Sequence, residues 1–443
     1  MNRLYVYLLT VAVGVMSGCA IDPKFLAHKP LVGSDRPVHI DDVRMMRQME
    51  RTPVLDPALI GYMQHIRQRL ETAWDESCDC VVLVDSFGGY EAYSLPDKTI
   101  VLSAGLLAQA SSEDEIAAVM AHELAHIYHG DNASGSLQQV TTDAVKLGSW
   151  VAGGGAYAFF LSDTVDDLAQ GQIYRKWNQD QEITADDFSA KLLVKAGYSI
   201  DGLKMAIRRL GQYSKGELVA QDKRCISSKN QQVSINIQSC SKSLTESDKT
   251  IYQSPELRLQ SVMMYTAGLT PDLRRRHQGD PPPKFPSVEY LFGLNDLVSS
   301  THDELRAGIA RVEERQIPDT LYGNVAVTNK LASAYFMVGD KERGSSYLRK
   351  SFNSSGRTAW TFINLFMDVD RSGDRNKVAK ALSDAQLEVG YTTKLLPFEY
   401  YLSKRHGLEI YEVEAFARCM SNAVDDPATY QRCAAVDNGG VVW

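Results

Sequence analysis

The sequence has no long basic stretch. Lys and Arg number 47 against 55 Asp and Glu, a formal net charge of −8, and the densest positive cluster is Arg274-Arg275-Arg276. That balance argues against a nucleic-acid partner, which needs a concentrated basic face. Past the N-terminus no apolar run reaches the ~18 residues of a membrane-spanning helix. Residues 150–161 are apolar but short, and Gly153, Gly154 and Gly155 interrupt them. Histidine is scarce, 9 in all, so two of them within one helical turn carry weight. What remains is ordinary for a globular chain: 44% hydrophobic and 23% charged, in 443 residues, enough for two or three domains.

The N-terminus differs in character. Arg3 precedes an apolar core over 4–16 and then Ser17-Gly18-Cys19, which reads as a secretory signal. Cysteine directly after Ser-Gly resembles a bacterial lipobox, in which Cys19 is lipidated and anchors the chain to a membrane. Ala20, rather than Asp, matches lipoproteins sorted to the outer membrane. Residues 1–18 are thus expected as signal peptide and 19–50 as a polar tether; a soluble periplasmic protein is the alternative. Six further cysteines suit an exported chain. Cys225 with Cys240 and Cys419 with Cys433 would each close a loop of about 15 residues, worth up to ~3 kcal/mol. Cys78 and Cys80, one residue apart, would bridge only with strain, and a soft-metal site is the other reading.

Apolar spacing at Leu59, Tyr62, Met63, Ile66 and Leu70 predicts an amphipathic helix over 56–74. Residues 81–85 and 99–102 read as short strands. Ser112 with Glu115 forms a capping box for a helix that Gly130 ends, and another helix is expected from about 180 to 196, stopping at Gly197. Residues 211–249 read as a polar excursion stapled by its own disulfide. Gly279-Asp280-Pro281-Pro282-Pro283 predicts a linker over 279–290, because successive prolines join neither helix nor sheet. Beyond it, Gly339-Asp340 and Gly373-Asp374 lie 34 positions apart within helical spacing. That period resembles tetratricopeptide repeats. The expected fold is therefore mostly α with a small β-sheet, an α+β catalytic domain over 51–278, followed by a helical repeat domain over 291–443.

His122-Glu123-Leu124-Ala125-His126 carries the chemistry. Residues four apart share one helix face, so both imidazoles can address one metal, and Glu123 projects about 100° further round as a general base. Zinc needs a third protein ligand and an open position. Glu182 and Asp186, also four apart, supply a candidate ligand and a carboxylate able to fix the orientation of a ligand histidine. A lone carboxylate pair is ordinarily a solvated helix face; the upstream motif changes that reading. His129 is read as a residue of the last helical turn, favoured by the dipole. The extended H-E-x-x-H-x-x-G-x-x-H arrangement is excluded by His129 and Asn132.

His122 to His126, with the downstream Glu182-Ile183-Thr184-Ala185-Asp186, resembles the BepA-like and HtpX-like zinc metalloendopeptidases, relatives of the Ste-type prenyl-protein proteases. Glu91-Ala92-Tyr93-Ser94-Leu95-Pro96, followed by a strand ending near Gly105-Leu106-Leu107, is similar to that family's strand before the active helix, and Ala196-Gly197-Tyr198 to the end of its ligand helix. The likeness covers roughly 55–270. The family commonly has Asn at Glu91 and a His-Pro near Ser254-Pro255, with Arg258 following. The resemblance implies one zinc held by His122, His126 and Glu182, Glu123 as base, and Asp186 behind a histidine. It also implies a protease of unfolded or misassembled envelope proteins at the periplasmic face of the outer membrane. Its helical tail would select clients or meet assembly machinery; a gated, mainly chaperone-like binding protein is the alternative. Tyr252, Arg258 and His277 are open candidates for oxyanion assistance, and a strand around 98–102 is expected to be the edge along which an extended substrate adds.

Overall fold

The structure, a computed structural model, describes residues 38–131, 179–214, 226–229, 232–235, 255–274, 279–297 and 301–440. The signal and Cys19, residues 150–161, the Cys225–Cys240 bridge, Tyr252 and His277 lie outside them.

The chain opens with α1 (Ile40–Gln48) and α2 (Pro57–Trp74), whose first amides Asp56 caps, and continues into β1 (Val81–Asp85), β2 (Ala92–Ser94) and β3 (Thr99–Ser103). The sheet order is β1-β3-β2, with β1 parallel and β2 antiparallel to β3. Both sheet faces are covered, which is why β1 reads as an unbroken apolar run. Successive side chains alternate between them. Val82, Val84, Ile100 and Leu102 join the main core, while Val81, Leu83 and Val101 pack against Val38, Val43 and Met46 at α1. Because β3 is central, residues 98–102 are not the edge expected from sequence. The outer position beside β3 belongs to β2, three residues too short to register as a strand by pattern.

Next come α3 (Ala104–Gln109), α4 (Glu113–His129), α5 (Gln179–Ala196), α6 (Asp201–Ser214), the hairpin β4 (Ile226–Lys229) and β5 (Gln232–Ile235), α7 (Pro255–Ala267) and α8 (Pro271–Arg274). At the start of α4, Ser112 Oγ accepts from the Glu115 amide (3.3 Å), and the Glu115 carboxylate accepts from Ser111 N–H (2.8 Å) rather than from Ser112. At its end Gly130 takes φ +70°, a left-handed conformation that costs glycine least.

The proline-rich stretch is packed, not a linker between separate cores. The Gly279 amide donates to Asp114, the Glu113 amide to Asp280 O (3.2 Å), and Ser287 Oγ to Asp56 (2.6 Å). Phe285 stacks at a tilt on Tyr62, centroids 5.6 Å apart. One hydrophobic core thus runs from Val54 to Tyr335 and takes in α9 (Pro286–Gly293), α10 (His302–Glu313) and α11 (Val325–Met337). A second core begins at Ala359, after α12 (Lys341–Phe352).

The tail consists of α13 (Ala359–Ser372), α14 (Arg375–Glu388), α15 (Leu396–Arg405), α16 (Glu409–Asp425) and α17 (Pro427–Asp437). Three helical hairpins, α11–α12, α13–α14 and α15–α16, turn at Gly339, Gly373 and Gly407, each 34 positions after the last and each at positive φ. Asp340 and Asp374 cap the helices that follow; Leu408 stands in the third position with no side-chain cap, which hides that turn from a search for Gly-Asp. Cys419 and Cys433 form the expected disulfide; Cys78 and Cys80 are also bridged, and their sulfurs lie with Glu71 in a group compact enough for a metal, so both expectations for that pair stand. Among the described residues no helix is long and apolar enough to cross a membrane.

Residues 38–50 are not tether. α1 lies on the sheet and reaches the tail: Arg47 donates to Glu388 O and Ser355 O (both 3.1 Å), Arg44 to Leu387 O (3.1 Å) and Gln48 to Val389 O (2.8 Å). Three of these four carbonyls close α14, where cations and donors are favoured by the helix dipole. Glu50 accepts from the Trp360 amide (2.9 Å) at the start of α13. Met46 is fully buried between sheet and helix. Met46→Ala is therefore expected to cost about 2–5 kcal/mol of unfolding free energy in urea titrations followed by circular dichroism; a loss under about 0.5 kcal/mol would mean that this segment is a tether after all.

Candidate metal centre

Close approach of two helices creates the site. α4 presents Ala117, Ala118, Ala121 and Ala125, and α5 Ala185 and Ala190, all fully buried. Ser189 Oγ donates across the contact to Ala118 O at 3.0 Å. Side chains this small leave room for the larger ones at one end to meet. His122 and His126 of α4 point together, Nε2 to Nε2 3.2 Å. Glu182 of α5 faces both, its Oε2 3.6 Å from His122 Nε2 and its Oε1 3.5 Å from His126 Nε2. Tetrahedral zinc with bonds of ~2.0–2.2 Å holds its ligand atoms ~3.3–3.6 Å apart, so the donor set and its spacing fit that ion.

The distal nitrogens are also engaged. His122 Nδ1 lies 3.0 Å from Asp186 Oδ1, and His126 Nδ1 lies 2.8 Å from Asp131 Oδ2. If both Nδ1 atoms donate, both Nε2 lone pairs face one another at 3.2 Å, which is tolerable only with a cation or a proton between them. Burial opposes charge on His122, but Asp186 and Glu182 outweigh it and push its pKa up to about 10. Burial likewise opposes charge on His126, and Asp131 and Glu182 outweigh it. Burial would raise Glu182 and Asp186, but Arg258 and His122 hold both below the usual carboxylate range. The site is built for positive charge.

Arg258 of α7 pairs with Glu182 Oε2 (2.8 Å), Asp186 Oδ1 (2.7 Å) and Asp186 Oδ2 (2.8 Å). The sequence brought it forward as an oxyanion candidate; in the structure it pairs with these carboxylates and also lines the cleft beside Glu123. Glu123 is 2% exposed, and its Oε2 has no hydrogen-bond partner among the described residues. Burial pushes its carboxyl up, the two imidazoles pull it down, and burial wins. A carboxylate so placed is a strong proton acceptor. It opens on a cleft that Leu106, Val119, Leu203, Ile207, His122 and Glu182 help to line.

The structure thus brings His122, Glu123, His126, Glu182, Asp186 and Arg258 together. Sequence reasoning missed Asp131, whose one available signal was an acidic residue directly after the capping Gly130. His129 packs edge-on against Phe188, centroids 5.8 Å apart, away from the ligand atoms.

Residues 62–267 match the profile of peptidase family M48. A Vibrio cholerae protein bearing the name of a beta-barrel assembly-enhancing protease is 29% identical over 177 residues, 38% of this chain and 36% of its own. Two Escherichia coli proteins are similar over shorter stretches: metalloprotease LoiP, 26% identical over 28% of this chain and 49% of its own, and metalloprotease YcaL, 29% identical over 28% and 48%. The chain spans half or less of the length of these curated relatives.

A metal entering this site must displace the protons that His122 holds below about pH 10. Zinc affinity is therefore expected to rise with pH through neutrality, with proton release on binding. Calorimetry in buffers of different ionisation enthalpy measures that release; an affinity flat from pH 6 to 8 and no buffer dependence would contradict it.

Proposed function

Given a domain of peptidase family M48 over residues 62–267, we propose that this chain is a zinc-dependent metalloendopeptidase, with the metal held by His122, His126 and Glu182 and with Glu123 as general base. One observation carries the proposal: two imidazole nitrogens and a carboxylate gathered closely enough for a single ion, beside a buried carboxylate oxygen that has no hydrogen-bond partner among the described residues. A bound zinc would polarise the scissile carbonyl and lower the pKa of the attacking water. Glu123 takes the proton from that water at a carboxylate oxygen and returns it to the leaving amine. Asp186 keeps the His122 ring in register, and Arg258 neutralises the carboxylates behind it.

The same reading extends to place and substrate. Cys19 following Ser17-Gly18 supports a lipid anchor and a periplasmic position at the outer membrane. The name of the Vibrio relative supports unfolded or misassembled envelope proteins as substrates. The 34-residue hairpin period supports a tetratricopeptide-like tail that engages clients or assembly machinery. A second reading, in which binding by the tail outweighs cleavage, draws on the exposed apolar residues Ile410, Val413, Phe416 and Met420 along α16.

Glu123→Gln should keep one zinc per chain while hydrolysis of an unfolded protein falls by about 10²–10⁴. Glu182→Ala should lose the zinc. An envelope phenotype fully complemented by Glu123→Gln would favour the binding reading; undiminished zinc in Glu182→Ala would refute the ligand assignment. Cys19→Ala is expected to move the protein from the membrane to the soluble fraction, and retention at the membrane would refute the anchor.

A further inference from the structure

We infer that Asp131 is the positioning residue of His126, and that through Gln181 it fixes the second imidazole to the helix that carries Glu182; the inference rests on the metal reading above. The ligand histidines face different supports. His122 is held by Asp186, on the same helix as Glu182 and one turn further along. His126 sits in the last turn of α4, where the helix gives way. Asp131 fills that place. Gly130 is left-handed, and the carboxylate that follows it, five residues after His126, meets the His126 ring at 2.8 Å.

The other oxygen of the same carboxylate, Oδ1, accepts from Gln181 Nε2 at 2.7 Å. Gln181 immediately precedes Glu182. The path His126–Asp131–Gln181 therefore runs beside the ligand path His126–metal–Glu182 and closes a small ring across the two helices. Asp131 lends His126 Nδ1 an acceptor that fixes its tautomer with Nε2 turned to the ion. Gln181 in turn stops the carboxylate from rotating away. Each imidazole thus has its own carboxylate, and only one of the two lies on the ligand helix.

Zinc affinity measured by competition with a chromophoric chelator tests this without reference to catalysis. Asp131→Ala is expected to weaken zinc by about 10–100-fold with unchanged circular dichroism. Asp131→Asn, which keeps shape and an acceptor oxygen, should lose less than about 10-fold, and Gln181→Ala less than Asp131→Ala. Wild-type affinity in Asp131→Ala, or a loss in Asp131→Asn as large as in Asp131→Ala, would overturn the inference. Failure of the wild-type chain to bind zinc would instead overturn the metal reading beneath it.

Discussion

Four carboxylates crowd one spot inside this molecule, and the rest of the site follows from the need to neutralise them. Glu123, Glu182 and Asp186 are 2%, 7% and 1% exposed, and Asp131 closes the group. A buried carboxylate without compensation costs several kcal/mol. Arg258 supplies one positive charge. Protons on the two imidazoles, or a divalent ion in their place, offset two of the three negative charges that remain, which is why burial alone does not set the pKa of His122. Such a cluster holds only if α4 and α5 stay in close contact, and the buried alanines on both helices permit that contact.

This dependence also explains which parts of the molecule were legible. The motif helix announced itself through Ser112, Gly130 and paired histidines, all local signals. Glu182 and Asp186 were found because a four-residue spacing is again local. Asp131 lies just as near in sequence, yet its role depends on the direction the chain takes after Gly130, which spacing does not encode. The central position of β3 depends on β1 and the three-residue β2 pairing on its two sides, which the strand pattern does not encode, so the edge was placed on the wrong strand. Residues 38–50 look polar because α1 uses Arg44, Arg47 and Gln48 to bind carbonyls, burying only Val43 and Met46 among its apolar side chains. The stretch around the prolines of 281–283 read as a spacer because its contacts with α2 and α4, made by Gly279, Asp280, Phe285 and Ser287, reach more than 160 positions back. Leu408 in place of the capping aspartate removed the third hairpin from view.

The tail is joined to the catalytic part twice. The main core passes through α9, α10 and α11 without a break, and α1 bonds to the end of α14 while covering the back of the sheet. Strand β2 lies where these connections meet the cleft. Tyr93 and Leu95, in and just after it, pack in the α1 core, and Ala92 lines the cleft beside Glu123. Through α1, the end of α14 is hydrogen-bonded to a helix whose apolar side chains share a core with β2.

The account stands or falls on two helices gripping one ion through nitrogen and oxygen. Zinc K-edge X-ray absorption on the purified, zinc-loaded chain reads this directly. Two imidazole nitrogens and one or two oxygens at ~2.0–2.2 Å are the expected first shell. Sulfur at ~2.3 Å would place the ion at the cysteines instead, and a shell without imidazole scattering would contradict the convergence of α4 and α5 on a metal.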